Sequence, residues 1–509
     1  MSRHGWTLLL GFCSTVLSLP TASVRADVKL PAIFSEHMVL QADVAAPIWG
    51  WAEPGEKVVI TIGSHAVETT ATAEGRWSAS LPKLSAGGPQ TLTVTGRNTL
   101  TVGDVLVGEV WLGSGQSNMA MTVNRARDFE QEQAAATFPQ IRMFTVSSGA
   151  SNSAQADCRG TWEVCSPETV ARFSATAYFF GRELHRTLNV PVGLINSSVG
   201  GTPIESWISP EAQRASPELQ QFFAARQAEE AKFDVVAAKA KYERDFEEWQ
   251  AAVKKAKADG QAAPRKPRDP IALRQVKGNV GGLFNGKIAP LIPYAIRGAL
   301  WYQGEANTVP DKAGYYEDQL KLLVTDWRTR WGAEFPFAWV QLPNFAGNGR
   351  DWPTVREAMA NATTLPETGM AITIDIGETN DIHPKNKQEV GRRLALWTLG
   401  TVYGRPGPVS GPILTSHERR GREFVLTFQH TDQGLRLNVQ GPSGFEVAGP
   451  DGAWKPAVVV IEQDQVIVAS PDVAEPVAVR YAWSNDPQAT LFNGAGLPAA
   501  PFRVEAKPR

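Results

Sequence analysis

The order of apolar and polar positions divides the chain into three stretches with different rhythms. Between residues 28 and 104 the period is two, as in Thr91-Leu92-Thr93-Val94-Thr95, a half-buried strand signature. Turns at Pro54-Gly55, Gly87-Gly88-Pro89 and Gly96-Arg97-Asn98 punctuate these runs. The pattern predicts a small β-sandwich-like domain over 27–104. From 105 to 404 apolar runs at 105–112, 141–146, 191–196, 296–302, 337–342 and 370–376 read as strands. Segments of helical period lie between them: Tyr316, Leu320, Leu323 and Trp327 recur at four, three and four residues, and Val390, Leu394 and Trp397 follow suit. Strand–helix alternation predicts an α/β fold, a parallel sheet sandwiched by helices. Ligands of such sheets sit beyond the carboxyl ends of the strands. From 405 to 509 short strands return, at 423–428, 435–439 and 466–470, and predict a second small β-domain.

A stretch at about 209–262 interrupts the α/β rhythm. Ser209-Pro210-Glu211 is a helix start, with an N-cap serine and proline at the first helical position. Tyr242, Phe246, Trp249 and Val253 then follow helical spacing among Lys and Glu, and Gly260 with Pro264, Pro267 and Pro270 ends the run. A helical insert packed on the rim of the central domain is expected.

At 509 residues the chain is long enough for these domains, and a net charge of −2 gives no global attraction to nucleic acid. Residues 1–26 read as a secretory signal: Arg3 and His4, an apolar core from Trp6 to Leu19, then Val24-Arg25-Ala26 as a cleavage site. That core is too short for a membrane span. The expectation is an exported protein, periplasmic or secreted, without a span. Beyond Cys13, two cysteines remain, Cys158 and Cys165, seven positions apart, and in an oxidising compartment they are candidates for a local disulfide. The seven histidines are scattered without metal-ligand spacing, so metal-independent chemistry with no cofactor is expected.

Gly113-Ser114-Gly115-Gln116-Ser117-Asn118-Met119 closes the first strand of the α/β region. A strand, a Gly-rich turn and a helix start place Ser117 where backbone N–H groups converge, as a serine nucleophile requires for its oxyanion. In Asp381-Ile382-His383-Pro384 an extended backbone puts residues two apart on one side, so Asp381 can orient His383 toward Ser117. Asp375, at the end of the preceding strand, is a rival for the acid. Trp301-Tyr302-Gln303-Gly304-Glu305 ends another strand, and the Gln303 amide suits an oxyanion hole beside the Ser117 N–H. Gly200 and Gly201, after Asn196-Ser197-Ser198, add further backbone donors. Gln116, Asn118, Glu305, Trp301 and Trp207 fall near these loops as candidate substrate contacts.

Together these blocks resemble the SGNH hydrolases, and more closely the sialate O-acetylesterase-like carbohydrate esterases. Gly-Gln-Ser-Asn-Met at 115–119 is similar to that group's nucleophile block, Trp-Tyr-Gln-Gly-Glu at 301–305 to its third block, and Asn-Asp-Ile-His-Pro-Lys-Asn-Lys-Gln at 380–388 to its histidine block. Leu-Pro-Ala-Ile-Phe-Ser at 30–35 and Tyr-Ala-Trp-Ser-Asn-Asp-Pro at 481–487 extend the resemblance through most of the chain. The superfamily pattern puts Asp three residues before His, where this chain has Asn380; Asp381 is therefore taken as the acid. The resemblance implies an SGNH-type domain and a serine esterase removing acetyl groups from sugars, whether sialic acids or plant polysaccharides such as xyloglucan or xylan, through an acetyl-enzyme on Ser117. The alternative is a non-catalytic carbohydrate-binding protein on a retired hydrolase core.

Overall fold

The computed structural model describes residue 1 and residues 27–277, 280–438 and 441–506. The expected signal segment, with Cys13, lies outside the described residues. A central sheet runs in the order Thr368–Ala371, Phe337–Val340, Gly298–Tyr302, Thr99–Gly115, Val192–Ser198, Phe138–Thr145 and Trp162–Cys165. Every neighbouring pair is parallel except the last. All six runs read as strands from the α/β region are strands of this sheet.

Its two faces follow the period-two pattern. Val110, Leu112, Ile195, Ala299 and Trp301 join one apolar cluster, whereas Trp111, Leu194 and Leu300 join the other. Helices Tyr316–Trp331 and Trp352–Ala362 cover the first face through Leu320, Leu323, Trp327, Val355 and Met359. Helices Ala175–Leu188 and Lys387–Thr401 cover the second through Tyr178, Phe180, Val390 and Leu394. Both faces are therefore buried, which is why these strands read as continuous apolar runs.

The cysteine expectation fails for the same reason. Cys158 belongs to the first cluster and Cys165 to the second, and both are free and buried. Close spacing in the chain has put them in different cores.

Strand Thr99–Gly115 is 17 residues long, and the boundary expected at 104/105 falls inside it. Its first half pairs antiparallel with Gly87–Thr95, its middle pairs parallel with Val39–Gln41, and its last part is the centre of the α/β sheet. The insert is also longer than expected. Helices Gln220–Ala231 and Val235–Ala258 are followed by a third, Pro270–Lys277.

Among the described residues after 405 come two four-stranded antiparallel sheets and a two-stranded one. The 481–487 segment anchors this part to the central domain. Arg356, fully buried, donates to the carbonyls of Leu342, Pro343, Ser484 and Asn485, while Asn485 donates to those of Gly347 and Arg350.

Candidate active site

Three strand ends arrive level with one another at the carboxyl edge of the sheet. Gly115 pairs with Ser198 on one side and Tyr302 on the other, so Ser117, Gly200 and Gln303 all follow from the same height. Gly115 has φ +134°, and a Cβ there would meet the Tyr302 carbonyl oxygen at 2.2 Å. Only glycine lets the two backbones close in. The Gln116 N–H then donates to that carbonyl at 2.9 Å, and helix Ser117–Ala120 begins at once. A Cβ on Gly200 would lie 3.4 Å from Ser117 Cβ, so the glycine backbone borders the serine.

His383 reaches the same place from the other side. Asn118, beside Ser117, donates to the carbonyl of Ile382, beside His383, at 3.0 Å. The Arg127 N–H donates to the Lys385 carbonyl at 2.8 Å, a second tie between the two segments. No direct hydrogen bond joins Ser117 to His383; catalytic contacts of this kind commonly tighten only with substrate bound. Burial is the main influence on the imidazole and holds it below its usual pKa, against the raising effect of Asp381. Arg125 and Lys387 lower it further.

The two candidate acids have different surroundings. Asp381 Oδ1 accepts the backbone N–H of His383 at 2.9 Å and lies 3.7 Å from its Nδ1, beyond hydrogen-bond range, with the carboxylate 46% exposed. Asp375 is instead clamped by Arg393 through two bonds of 2.6 and 2.7 Å. That guanidinium is 6% exposed and also binds Glu389 and the Ile372 carbonyl. Asp375 is thereby a structural counter-ion, and its candidacy as the acid is withdrawn.

Other expectations need correcting. Gln303 is fully buried, and its Nε2 donates to Asn307 Oδ1 at 2.8 Å and the Thr202 carbonyl at 3.1 Å, while Tyr316 donates to its Oε1. With both donor positions used it is a loop staple, not an oxyanion donor. Trp301 and Trp207 are also fully buried, packed edge-to-face with ring centroids 6.0 Å apart. They are core and cannot stack on a sugar.

Gln116, Asn118 and Glu305 face one another, not a substrate. Gln116 Nε2 and Asn118 Nδ2 donate to the two Glu305 oxygens at 2.6 and 2.5 Å. Burial raises the Glu305 pKa despite these bonds. Sequence reasoning missed a fourth member. The Lys387 ammonium, with no exposure, donates to Asn118 Oδ1 at 2.7 Å and to the Pro384 carbonyl at 2.8 Å, above the Tyr302 ring. Burial pushes its pKa down to about 7. The available signal was the Pro384–Lys387 spacing: a lysine opening a helix, where cations are disfavoured, calls for another reason to be there.

A family profile described as carbohydrate esterase, sialic acid-specific acetylesterase, matches residues 107–256 and 286–399, which hold Ser117, Glu305, His383 and Lys387. The chain belongs to this family. It is therefore a carboxylic ester hydrolase of the carbohydrate acetylesterase type. It is similar to the sialate O-acetylesterases of Mus musculus, 28% identical over 98% of both chains, and of Rattus norvegicus, 29% identical over 93% of this chain and 94% of the other. A carbohydrate acetylesterase from Xanthomonas citri is 34% identical, with a TM-score of 0.79 over 94% of this chain and all of its own. No helix among the described residues is long and apolar enough to cross a membrane.

Proposed function

We propose that this member of the family is an exported serine esterase that releases acetate from O-acetylated sugars. One observation carries the reading: the residue after Ser117 is hydrogen-bonded to the residue before His383, at the edge of the sheet where three strands end in register. In this mechanism neutral His383 takes the Ser117 proton as Oγ attacks the acetyl carbonyl. The Ser117 N–H and the backbone at Gly200 and Gly201 receive the oxyanion. The tetrahedral intermediate collapses with the proton passing from His383 to the leaving sugar oxygen. Water, deprotonated by His383, then frees acetate from the acetyl-enzyme. Asp381 acts beside His383 as an orienting charge.

The names of the rodent relatives favour sialic acids, and the signal-like residues 1–26 support export. The experiment is acetate release by wild type and Ser117→Ala from O-acetylated sialic acid, acetyl-xylan and acetylated xyloglucan. Loss of all turnover in the variant, with an unaltered melting temperature, is expected. Residual activity above a few per cent would remove Ser117 as nucleophile.

A further inference from the structure

On the antiparallel pair Ala46–Trp51 and Arg76–Leu81, alternate residues face opposite ways. Ala46, Ile48 and Gly50 point into the core with their partners Leu81, Ala79 and Trp77. The other face should be polar. It carries two tryptophans instead: Trp49 opposite Ser78, and Trp51 opposite Arg76. Both indoles are half-buried, while Ser78 and Arg76 are exposed.

The two tryptophans, two positions apart, lie roughly 6.5–7 Å from each other along the strand. Trp49 is held by an edge-to-face contact with Phe34, centroids 4.6 Å apart, and the Trp51 carbonyl accepts the Trp77 indole N–H at 3.1 Å. The first contact fixes the Trp49 ring, and the second fixes the backbone that carries Trp51. A third tryptophan, Trp77, with Thr72 and, from the central domain, Gln155, Ile292 and Pro293, also lines the cavity of about 370 Å³ that these residues border. That volume lies within the roughly 300–1,000 Å³ of small-molecule sites. No acidic side chain is among the described residues that line it. None of its residues belongs to the cluster around Ser117.

We propose that this cavity is a second carbohydrate-binding site, taking a pyranose ring of a glycan. The apolar ring faces of Trp49 and Trp51 offer stacking to the C–H face of a sugar, and their cross-strand neighbours Ser78 and Arg76 line the same cavity as hydrogen-bond partners for its hydroxyls. The small polar lining around aromatic walls is the pattern that gives orientation as well as affinity. Held here, a long glycan gains a second point of attachment, which raises the local concentration of its acetyl groups at Ser117.

The inference extends the esterase reading, but its test needs no turnover. The full chain is titrated by calorimetry with three acetyl-free probes: xyloglucan heptasaccharide, xylohexaose and sialyllactose. Binding of at least one is expected, weakened about tenfold or more in Trp51→Ala. Ser78→Arg, an exposed substitution that fills the cavity and leaves the core alone, should weaken it likewise. Both variants should turn over p-nitrophenyl acetate as wild type does, which reports the fold and the Ser117 site separately. No binding by any probe would overturn the assignment, as would binding that both variants retain in full. Failure of the esterase reading would show differently, as absent turnover in every form.

Discussion

Lys387 donates to Asn118 across 269 positions of chain, so the helix after the His383 loop is fastened to the turn that carries Ser117. Asn118 passes the tie on to Glu305 and to the Ile382 carbonyl. One side chain thus joins three strand-end loops. Lys387→Met, which keeps the bulk and removes the donor, should lower kcat more than it raises KM, because His383 would lose its bearing on Ser117. Kinetics on p-nitrophenyl acetate check this, and a pure KM effect would contradict it.

The same lysine makes stability depend on pH. Its folded value of about 7 lies below the ordinary 10.5, so between the two the unfolded chain holds a proton that the folded chain lacks. Stability attributable to Lys387 therefore rises with pH through that window and is at its lowest below it. Urea melts at pH 7 and pH 10 should show this rise in wild type and a flatter profile in Lys387→Met. An identical slope in both would place the charge elsewhere.

Asp375→Asn and Asp381→Asn should fail in different ways. Asp375→Asn weakens the clamp on a buried guanidinium, a change costing up to about 3–5 kcal/mol when a buried pair is broken, reduced here by Glu389. Its melting temperature should fall. Asp381→Asn should melt like wild type and lose kcat, by less than the roughly 10⁴-fold of a buried triad acid, because the carboxylate is half-exposed and 3.7 Å from the ring. Similar melting losses in both would remove Asp381 from the orienting role.

Gln303→Ala should act as a staple loss. It removes one of two partners from Asn307 Oδ1 and from the Tyr316 hydroxyl and takes the Gln303 amide from the Thr202 carbonyl, and an unpaired buried group costs about 1–3 kcal/mol. Thermal melts should register this before kinetics do. A stable variant with kcat alone reduced would restore the oxyanion role.

Reducing agent should leave the melting temperature unchanged, since Cys158 and Cys165 are free. Burial pushes both thiols up to about 12, so iodoacetamide at pH 8 should label them only after denaturation. A shift to faster migration on oxidation, reversed by dithiothreitol, would show a bond between them.

The sheet was legible because its strands are buried on both faces and their apolar runs have strand length. The Ser117 turn and the His383 loop were legible because short glycine-rich and proline-bounded segments must sit where strands end. What escaped was decided by distant neighbours. Lys387 looks solvated in its own helix, and its burial comes from Asn118 and Tyr302. Trp207 and Trp301 stand at loop margins in the chain, yet they fill the space between Trp327 and the sheet. Gln303 has the chemistry of an oxyanion donor, and only Asn307 and Thr202 reveal that its protons are already placed.

The 17-residue strand from Thr99 to Gly115 has an evolutionary consequence. Most modular enzymes join their parts by linkers, where recombination can cut and paste without damage. Here the thread that closes the amino-terminal sheet is the same one that ends at the Ser117 turn. A crossover near residue 104 would leave the central sheet's share of this strand whole, but would break its pairing with Gly87–Thr95 and strip Val39–Gln41 of its partner. A shortened gene starting at residue 105 would encode a chain in which 105–108 lack the neighbours that pair with them here, an unpaired stretch of apolar strand open to aggregation.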